Sequence, residues 1–420
     1  MKKQRLAANI FWLYGLQGLN YLTPALLIPF LMRTLGVSQY GLVVFAQSIA
    51  QYFILVTDFG FNFSATRSIS LSRGDSDSVN KIFWTVLTIK LALLVLCALT
   101  LQFILTVVRR FHDNSGVYYA AYLMAVGNAI FPLWLFQGIE QMRSISVLTG
   151  LGKLLAAVLV LLFVKSSQDT LLTALLLSSG FVFSGLLGMT VALRKHVTAF
   201  YRPTWQDIVS TISESRHLFL TTAAISLYSN TNTFLVGMLS GMEQVGYFNL
   251  ADKLIRAFGG LIAPLIQATY PRMIALRSQS TIQALMFVRK MLLYAICAGV
   301  VIGLGLVFGA KQLAILLFSH QSNETVTNLL RLLALFPLLA ALNYILGTLL
   351  LIPFGLDKVQ SRMLLAIGAA NVLLGFLLIP HLGALGGVLA MLATETVQML
   401  GSIFMIRRYN INIFRPATSE

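Results

Sequence analysis

The sequence contains few charged residues, and acidic residues are especially scarce. Only 10% of its 420 residues are charged, and 14 Asp and Glu stand against 30 Lys and Arg, which gives a formal net charge of +16. Soluble globular proteins carry about 25% charged residues because their surface is hydrated. A chain of this length with so little charge cannot cover its cores with polar surface. Lipid must therefore be the solvent for most of the chain.

The sequence also lacks the motifs of metal, cofactor and catalytic sites. Cys97 and Cys297 are too few for a disulfide framework or a cysteine-ligated metal, and their apolar surroundings predict buried thiols. No GxxxxGK[ST], HExxH or GxSxG string occurs. The basic residues lie between apolar runs, which does not fit a nucleic-acid interface. We therefore predict a chain that is not an enzyme and that has no metal, no cofactor and no nucleic-acid partner.

What the sequence has in abundance is long apolar runs, since 57% of its residues are hydrophobic. A transmembrane helix needs about 20 predominantly apolar residues. Twelve such stretches are present, which predicts an all-α integral membrane protein. The predicted spans are 10–32, 37–60, 82–105, 116–138, 144–164, 170–193, 217–239, 244–269, 287–309, 327–351, 361–380 and 383–406.

Basic residues in the connections predict the orientation of these spans. Most of these basic residues fall in connections on the same side of the membrane as the N-terminus. Basic connections face the cytoplasm, so both termini are predicted to be cytoplasmic. The longest polar connection divides six spans from six. We predict an N-terminal six-helix bundle at 1–200, a cytoplasmic linker at 201–216 and a C-terminal six-helix bundle at 217–420.

The two halves repeat at a shift of 205 residues. The paired strings are 39–41 with 244–246, 67–71 with 272–276 and 129–133 with 334–338. Two similar bundles of six spans insert with the same orientation. This pattern predicts two bundles around a central cleft, as in an alternating-access carrier.

Several charged residues fall inside or close to the predicted spans. Each would cost about 2.5–3.5 kcal/mol at the bilayer centre, so we expect them to face the protein interior or a hydrated cavity. They are Lys90, Lys153, Lys253, Arg256, Asp252, Glu395 and Asp58. Three alternatives stay open: Lys90 and Lys153 could snorkel to the membrane surface, Asp252 and Arg256 could only neutralise each other, and Glu395 could serve interhelical hydrogen bonding.

One helical face of the eighth span carries Asn249, Lys253 and Arg256, which are spaced by four and three residues. Cations suit phosphate oxygens, and amides or tyrosines suit sugar hydroxyls. We therefore predict a cleft for a sugar-bearing anion. Its predicted ligands are Lys253, Arg256, Lys90, Lys153, Asn20, Asn249, Tyr228 and Asn230, and its predicted ion-coupling acids are Glu395, Asp252 and Asp58.

A set of short strings occurs in order along nearly the whole chain. Among them are Gln17-Gly18-Leu19-Asn20-Tyr21, Asp58-Phe59-Gly60, Pro132-Leu133-Trp134-Leu135-Phe136-Gln137-Gly138, Tyr270-Pro271-Arg272 and Leu392-Ala393-Thr394-Glu395. With these strings the chain resembles the Wzx-type O-antigen flippases of the multidrug/oligosaccharidyl-lipid/polysaccharide exporter superfamily. The match is specific as a set, and no single string would suffice.

The resemblance implies that undecaprenyl-pyrophosphate-linked oligosaccharide is transferred from the cytoplasmic to the periplasmic leaflet of a bacterial inner membrane. It also implies coupling to an ion gradient, with proton antiport as one form, and O-antigen polymerase and a chain-length regulator as partners. The alternatives are a cation-coupled multidrug exporter of the same superfamily and a membrane assembly subunit without transport. The excess of intramembrane cations argues against a carrier of cationic drugs.

Overall fold

The structure is a computed structural model that describes residues 18, 20, 23–260, 262–317, 323–411 and 413. Within that part of the chain it does not describe the side chains of residues 221, 224, 225, 227–229, 258–260, 262–268 and 271. The chain divides into two compact units, Met1–Asn230 and Thr231–Glu420.

Helices account for almost all of the described part of the first unit. They are α1 (23–34), α2 (Val37–Asp58), α3 (Phe61–Leu71), α4 (Ser76–Val107), α5 (Arg109–His112), α6 (Ser115–Ile130), α7 (Leu133–Gly138), α8 (Met142–Phe163), a short 3₁₀ turn (Ser167–Asp169), α9 (Thr170–Lys195) and most of α10 (Trp205–Ser240). The predicted linker 201–216 is therefore helical from Trp205 onward. The predicted division at residues 200 and 217 stays a prediction from the sequence.

The second unit repeats this order of helices. It contains the end of α10, then α11 (Met242–Gly260), α12 (Ile262–Gln279), α13 (Thr281–Leu317), α14 (Glu324–Leu333), α15 (Phe336–Asn343), a π-helix (Tyr344–Leu351), α16 (Asp357–Leu382) and α17 (Ala384–Arg408). The predicted span 244–269 falls on α11 and α12, and residue 261 between them lies outside the described residues.

The register of the repeat changes along the chain. Helices α2 and α11 begin 205 residues apart, at Val37 and Met242, and so do α4 and α13, at Ser76 and Thr281. Helices α8 and α16 begin 215 residues apart, at Met142 and Asp357. The second half has a π-helix and a turn before α16, and these extra residues account for the difference. π-Helices are rare and often lie at functional positions.

Proline interrupts the corresponding span in each half. Helix α6 ends at Ile130, and α7 begins after Pro132, whose ring cannot continue the backbone hydrogen bonds of a helix. In the second half α14 ends at Leu333, and Pro337 lies in the first turn of α15. The predicted spans 116–138 and 327–351 are therefore interrupted and are not straight helices.

The outer surface of the helices is apolar. Nine helical stretches in the described part of the chain are long and apolar enough to cross a membrane, and large side chains such as Phe103, Phe308 and Leu373 are exposed on them. Of the other three predicted spans, 10–32 lies in part outside the described residues, whereas 217–239 and 244–269 lie on the more polar helices α10 to α12. Cys297 is exposed on α13, so the prediction that both thiols are buried is wrong for this residue.

Glycine allows very close helix contacts inside the first unit. A Cβ atom on Gly127 of α6 would lie 2.3 Å from the carbonyl carbon of Phe181 on α9. A Cβ atom on Gly152 of α8 would lie 2.2 Å from the carbonyl oxygen of Gly180, also on α9. Small residues of this kind let membrane helices approach to backbone contact.

We expect Gly127→Ala to destabilise the protein. The added methyl group would push α6 away from α9, and overpacking of this kind costs about 1–3 kcal/mol. Thermal unfolding in detergent measures the effect. Gly305→Ala is the matched control, because no atom lies within 4 Å of its added Cβ position. Equal unfolding midpoints for the two variants would contradict the contact.

The segment between α9 and α10 is held against the start of α4. Asn80 donates its amide to Thr198 Oγ1 at 3.0 Å and accepts the backbone N–H of Thr198 at 3.0 Å. Trp84 Nε1 donates to the carbonyl oxygen of Ala199 at 3.0 Å. Lys81 Nζ lies 2.7 Å from Asp207 Oδ1 at the beginning of α10.

Acid should weaken this attachment through Asp207. Hydrogen bonds from Lys81, and then from Thr204 and Tyr201, hold the pKa of the Asp207 carboxyl well below its ordinary value. A depressed acid pKa contributes stability that is present above the ordinary value, about 3.9, and is lost as the pH falls below it. We expect the 196–204 segment to become more sensitive to an acid-active protease as the pH falls below about 4. At neutral pH, with a protease that is active there, Asp207→Asn should be cleaved in this segment faster than wild type, whereas Asp77→Asn, which changes an exposed acid on α4, should behave as wild type.

Candidate functional site

A buried ion pair lies inside the first unit. Lys90 Nζ on α4 lies 2.7 Å from Asp58 Oδ1, at the end of α2. Only 1% of the Lys90 side chain and 19% of the Asp58 side chain are exposed. Lys90 therefore does not snorkel to the surface, and its cationic group is balanced within the unit.

Polar side chains from three other helices complete this cluster. Asn62 of α3 donates its amide to Asp58 Oδ2 at 3.0 Å, and Asn128 of α6 donates to Asp58 Oδ1 at 3.1 Å. Lys90 Nζ lies 4.7 Å from the ring centroid of Trp134 on α7, a cation–π distance. We call Asp58, Asn62, Lys90, Asn128 and Trp134 the Asp58 cluster.

The backbone after Asp58 explains why this carboxylate lies at a helix end. Phe59 and Gly60 have positive φ angles of 40° and 79°, which end α2 and let α3 start in a new direction. The Phe59 ring stacks on Phe219 of α10 at 4.5 Å, and a Cβ atom on residue 60 would lie 2.9 Å from the Phe219 nitrogen. Because the negative end of the α2 dipole adds to the Asp58 charge, a nearby cation is strongly favoured.

Two other predicted ligands of the first half come together. Lys153 of α8 donates its ammonium group to Asn20 Oδ1. Asn230, on the part of α10 that belongs to the first unit, donates to Ser226 Oγ at 3.2 Å. The side chain of Tyr228 lies outside the described residues. The roles of these residues in binding stay predictions.

In the second unit, α11 carries the predicted polar face. Asp252 Oδ1 accepts from Arg256 Nε at 2.6 Å, so the two charges one helical turn apart form an ion pair. Arg256 also lies 6.0 Å from the ring centroid of Phe336 on α15, and 43% of its side chain is exposed. Lys253 is exposed and Asn249 is buried. Helix α11 thus carries one more cation than the Asp252–Arg256 pair accounts for.

Glu395 lies on α17 against the end of α15. Asn343, which is buried directly before the π-helix, donates its amide to Glu395 Oε2 at 2.7 Å and to the Glu395 carbonyl oxygen at 2.8 Å. The residue directly before Glu395 also bonds to another helix, because Thr394 Oγ1 accepts the amide of Asn371 on α16 at 2.8 Å. Glu395 therefore takes part in interhelical hydrogen bonding, which was one of its two predicted roles.

Four residues of these sites were not predicted from the sequence, namely Asn62, Asn128, Trp134 and Asn343. Asn62 could have been found, because it is one helical turn beyond Asp58. Asn128 and Asn343 are single amides in apolar stretches, and only the fold shows which acid each one contacts. In the part of the chain that the structure describes, no three His, Cys, Asp or Glu side chains come close enough to hold a metal ion.

Comparison with known proteins agrees with a membrane transporter. Two relatives named "Putative O-antigen transporter" are each 29% identical to the chain over 405 residues. The one from Escherichia coli (strain K12) matches 96% of this chain and 97% of its own length; the one from Shigella dysenteriae matches 95% and 98%. The prediction that the chain is not an enzyme agrees with these names.

Solved structures share the fold at low sequence identity. The lipid II flippase MurJ, in an inward closed conformation, has a TM-score of 0.70 and 12% identity over 96% of this chain and 87% of its own. An inward-facing multidrug resistance MATE family transporter has a TM-score of 0.63 and 17% identity over 91% and 97%. The chain therefore has the all-helical fold of these membrane transporters.

The family assignment comes from the sequence match itself. The family described as "Polysaccharide biosynthesis protein" matches residues 6–277, which is well over half of the 420 residues. The chain is a multi-span membrane protein that belongs to this polysaccharide biosynthesis protein family.

Proposed function

We propose that the protein flips undecaprenyl-pyrophosphate-linked O-antigen repeat units from the cytoplasmic to the periplasmic leaflet of the bacterial inner membrane. Family membership and the names of the two relatives support a lipid-linked saccharide as cargo. The fold shared with a lipid II flippase supports movement of such a cargo across the bilayer. Transport proceeds by alternating access between the two halves, 1–200 and 217–420, with both termini in the cytoplasm.

The single observation that supports an anionic cargo best is the charge on α11. Asp252 and Arg256 pair with each other, and Lys253 is exposed beside them. A helix within the membrane that presents an extra ammonium group favours a ligand that brings negative charge. A pyrophosphate meets this requirement, because Lys and Arg bind its oxygens through charge-assisted hydrogen bonds.

The other predicted ligands suit the sugar. Asn249 lies one turn before Lys253, and Asn20 contacts Lys153 in the first unit. We propose that these amides, with Tyr228 and Asn230, contact sugar hydroxyls, and that Lys153 adds to the positive potential. Because Lys90 is almost fully buried against Asp58, we assign it to that acid and not to the substrate.

Ion coupling requires an acid that can change its charge during transport. We propose that coupling uses an acid among Asp58, Asp252 and Glu395, which contact Lys90, Arg256 and Asn343 respectively. A ligand or ion shifts the inward and outward populations only through its different affinities for the two states. O-antigen polymerase and a chain-length regulator are the proposed protein partners, because they act on the product in the periplasmic leaflet.

A multidrug exporter is the second candidate function, since the fold is shared with MATE transporters. The extra cation on α11 argues against it, because an ammonium group repels cationic drugs. A role as a membrane assembly subunit without transport does not explain the exposed ammonium group of Lys253 on α11. The drug resistance and the surface polysaccharide of a deletion strain separate these three functions.

Deletion of the gene, followed by assay of the lipid-linked saccharide in each leaflet, tests the proposal in cells. We expect the saccharide to accumulate on the cytoplasmic side and surface O-antigen to disappear. Plasmid-borne wild-type protein should restore export. Normal export in the deletion strain would overturn the proposed function.

A further inference from the structure

We propose that Asp58 is the proton-exchange site of the transporter and that Lys90 is the counter-ion that controls its protonation. This inference rests on the proposed function, which it deepens by choosing one acid as the coupling site. Its observations all come from the Asp58 cluster within the first unit.

The Asp58 cluster has more polar groups than a structural ion pair needs. A carboxylate and an ammonium group 2.7 Å apart neutralise each other, yet two amides also donate to the same carboxylate. A buried ion pair often gives no net stability over apolar residues of similar size. Stability alone therefore gives little reason to keep two ionised groups and two amides together in an apolar bundle.

The cluster also contains an acceptor that a protonated Asp58 could use. Asn62 Oδ1 is buried and has no hydrogen-bond partner among the described residues, while the nitrogen of the same amide donates to Asp58 Oδ2. A carboxylate only accepts hydrogen bonds, whereas a carboxylic acid also donates one. Rotation of the Asn62 amide by half a turn would present its oxygen to the new O–H group. The site can thus satisfy both protonation states of Asp58.

Protonation would change the balance of charge around Lys90. The carboxylate gains one proton, an O–H bond forms on Oδ2, and the pair changes from neutral to a net charge of +1. Lys90 would keep the face of Trp134 but lose its counter-ion, because its side chain is 1% exposed and cannot reach water in the present arrangement. A conformation that gives Lys90 water or a new anion is then favoured, which is how one proton can bias the inward and outward populations.

The other acidic and basic groups near the cluster on α3, α7 and α10 lie at the surface. On α3 the basic residue is Arg67, which is exposed. On α10, beside Phe219, they are Glu214, Arg216 and His217, which are also exposed. Beyond α7 it is Glu140, which pairs with Arg73 at 3.0 Å and is largely exposed. Helix α6 contributes the neutral amide of Asn128. Among the described residues, Lys90 is thus the buried cation that contacts Asp58.

The Asp58 carboxyl lies at a break between two helices. Phe59 and Gly60 have positive φ angles, so the chain direction changes directly after Asp58. A change in the charge of Asp58 thus acts where α2 and α3 meet. The same residues contact Phe219 of α10, which gives the site a route to a third helix of the unit.

The test compares transport with and without a pH gradient. Purified wild type and the Asp58→Asn/Lys90→Met double variant, which removes both charges, are reconstituted in liposomes with the lipid-linked repeat unit. We expect a pH gradient across the membrane, in either direction, to change the flipping rate of the wild type severalfold. The same gradient should leave the flipping rate of the double variant unchanged. Asp357→Asn/Lys358→Met, which removes two exposed charges at the start of α16, is the matched control and should keep its response to the gradient. A double variant at position 58 and 90 that responds like wild type, or a wild type that responds to sodium but not to protons, would overturn the inference.

Infrared difference spectroscopy tests the site without transport. Acidification of the wild type should produce a carboxylic acid C=O band that is missing in Asp58→Asn and present in Asp252→Asn. Equal bands in the wild type and in Asp58→Asn would overturn the inference. If this band behaves as expected but no protein-dependent flipping occurs, the proposed function fails while Asp58 remains a proton site. The two failures are therefore distinguishable.

Discussion

Replacement of Lys90 alone by methionine is expected to lower the free energy of unfolding by about 3–5 kcal/mol, because it leaves a buried carboxylate without its cation. Asp58→Asn alone should have a similar effect, since it leaves a buried ammonium group without its anion. The Asp58→Asn/Lys90→Met double variant should regain most of the loss, because neutral groups of similar size then fill the same space. Unfolding in mixed detergent micelles measures all three.

The comparison of single and double variants separates pairing from simple packing. Independent sites give additive losses, whereas paired charges give a double variant that is more stable than either single variant. Lys358→Met, at the exposed start of α16, is the control and should leave the unfolding midpoint unchanged. Additive losses at positions 58 and 90 would show that the ion pair of the structure does not form in the protein.

Lys253→Ala is expected to lower flipping by about 10-fold to 100-fold while the protein remains folded and abundant. The estimate follows from the loss of one charge-assisted hydrogen bond, about 1.5–3 kcal/mol, to the pyrophosphate. Because Lys253 is exposed and lies beside a pair that neutralises itself, its removal should cost little stability. Surface O-antigen in a deletion strain that carries the variant, with immunoblotting for protein abundance, measures the effect.

Two further variants show whether the charge at position 253 is what matters. Lys253→Arg keeps the cation and should restore most of the activity, whereas Lys253→Gln keeps the length and polarity of the side chain but should not. Lys358→Ala removes an exposed lysine at the start of α16 and should export at the wild-type rate. Wild-type export by Lys253→Ala would remove this residue from the substrate site.

The sequence predicted the elements of the fold well, because local chemistry determines them. Long apolar runs predicted most of the helices, and Pro132 and Pro337 lie at the breaks within two of them. The shift of 205 residues between the halves, read from paired strings, recurs between the starts of α2 and α11 and between those of α4 and α13. It did not predict the π-helix Tyr344–Leu351, since eight apolar residues are compatible with either helical form.

The contacts of the site were harder to predict, because they depend on how helices pack. The i, i+4 spacing of Asp252 and Arg256 allowed their pair to be foreseen as one of two alternatives. Asp58 and Lys90 are 32 residues apart, on helices separated by α3, and no local pattern joins them. The sequence therefore placed Lys90 among the substrate ligands, whereas its contacts in the structure favour a role as counter-ion to Asp58.

Reconstitution of the purified protein is the most direct test of the account. The lipid-linked repeat unit is placed in both leaflets of liposomes, and a membrane-impermeant reagent that modifies its sugar reports the fraction exposed outside over time. We predict that half of the saccharide is modified at once and that the remainder becomes accessible only in liposomes that contain the protein. If the saccharide of the inner leaflet becomes accessible no faster in liposomes with protein than in liposomes without it, the protein does not move this lipid. That result would contradict the account.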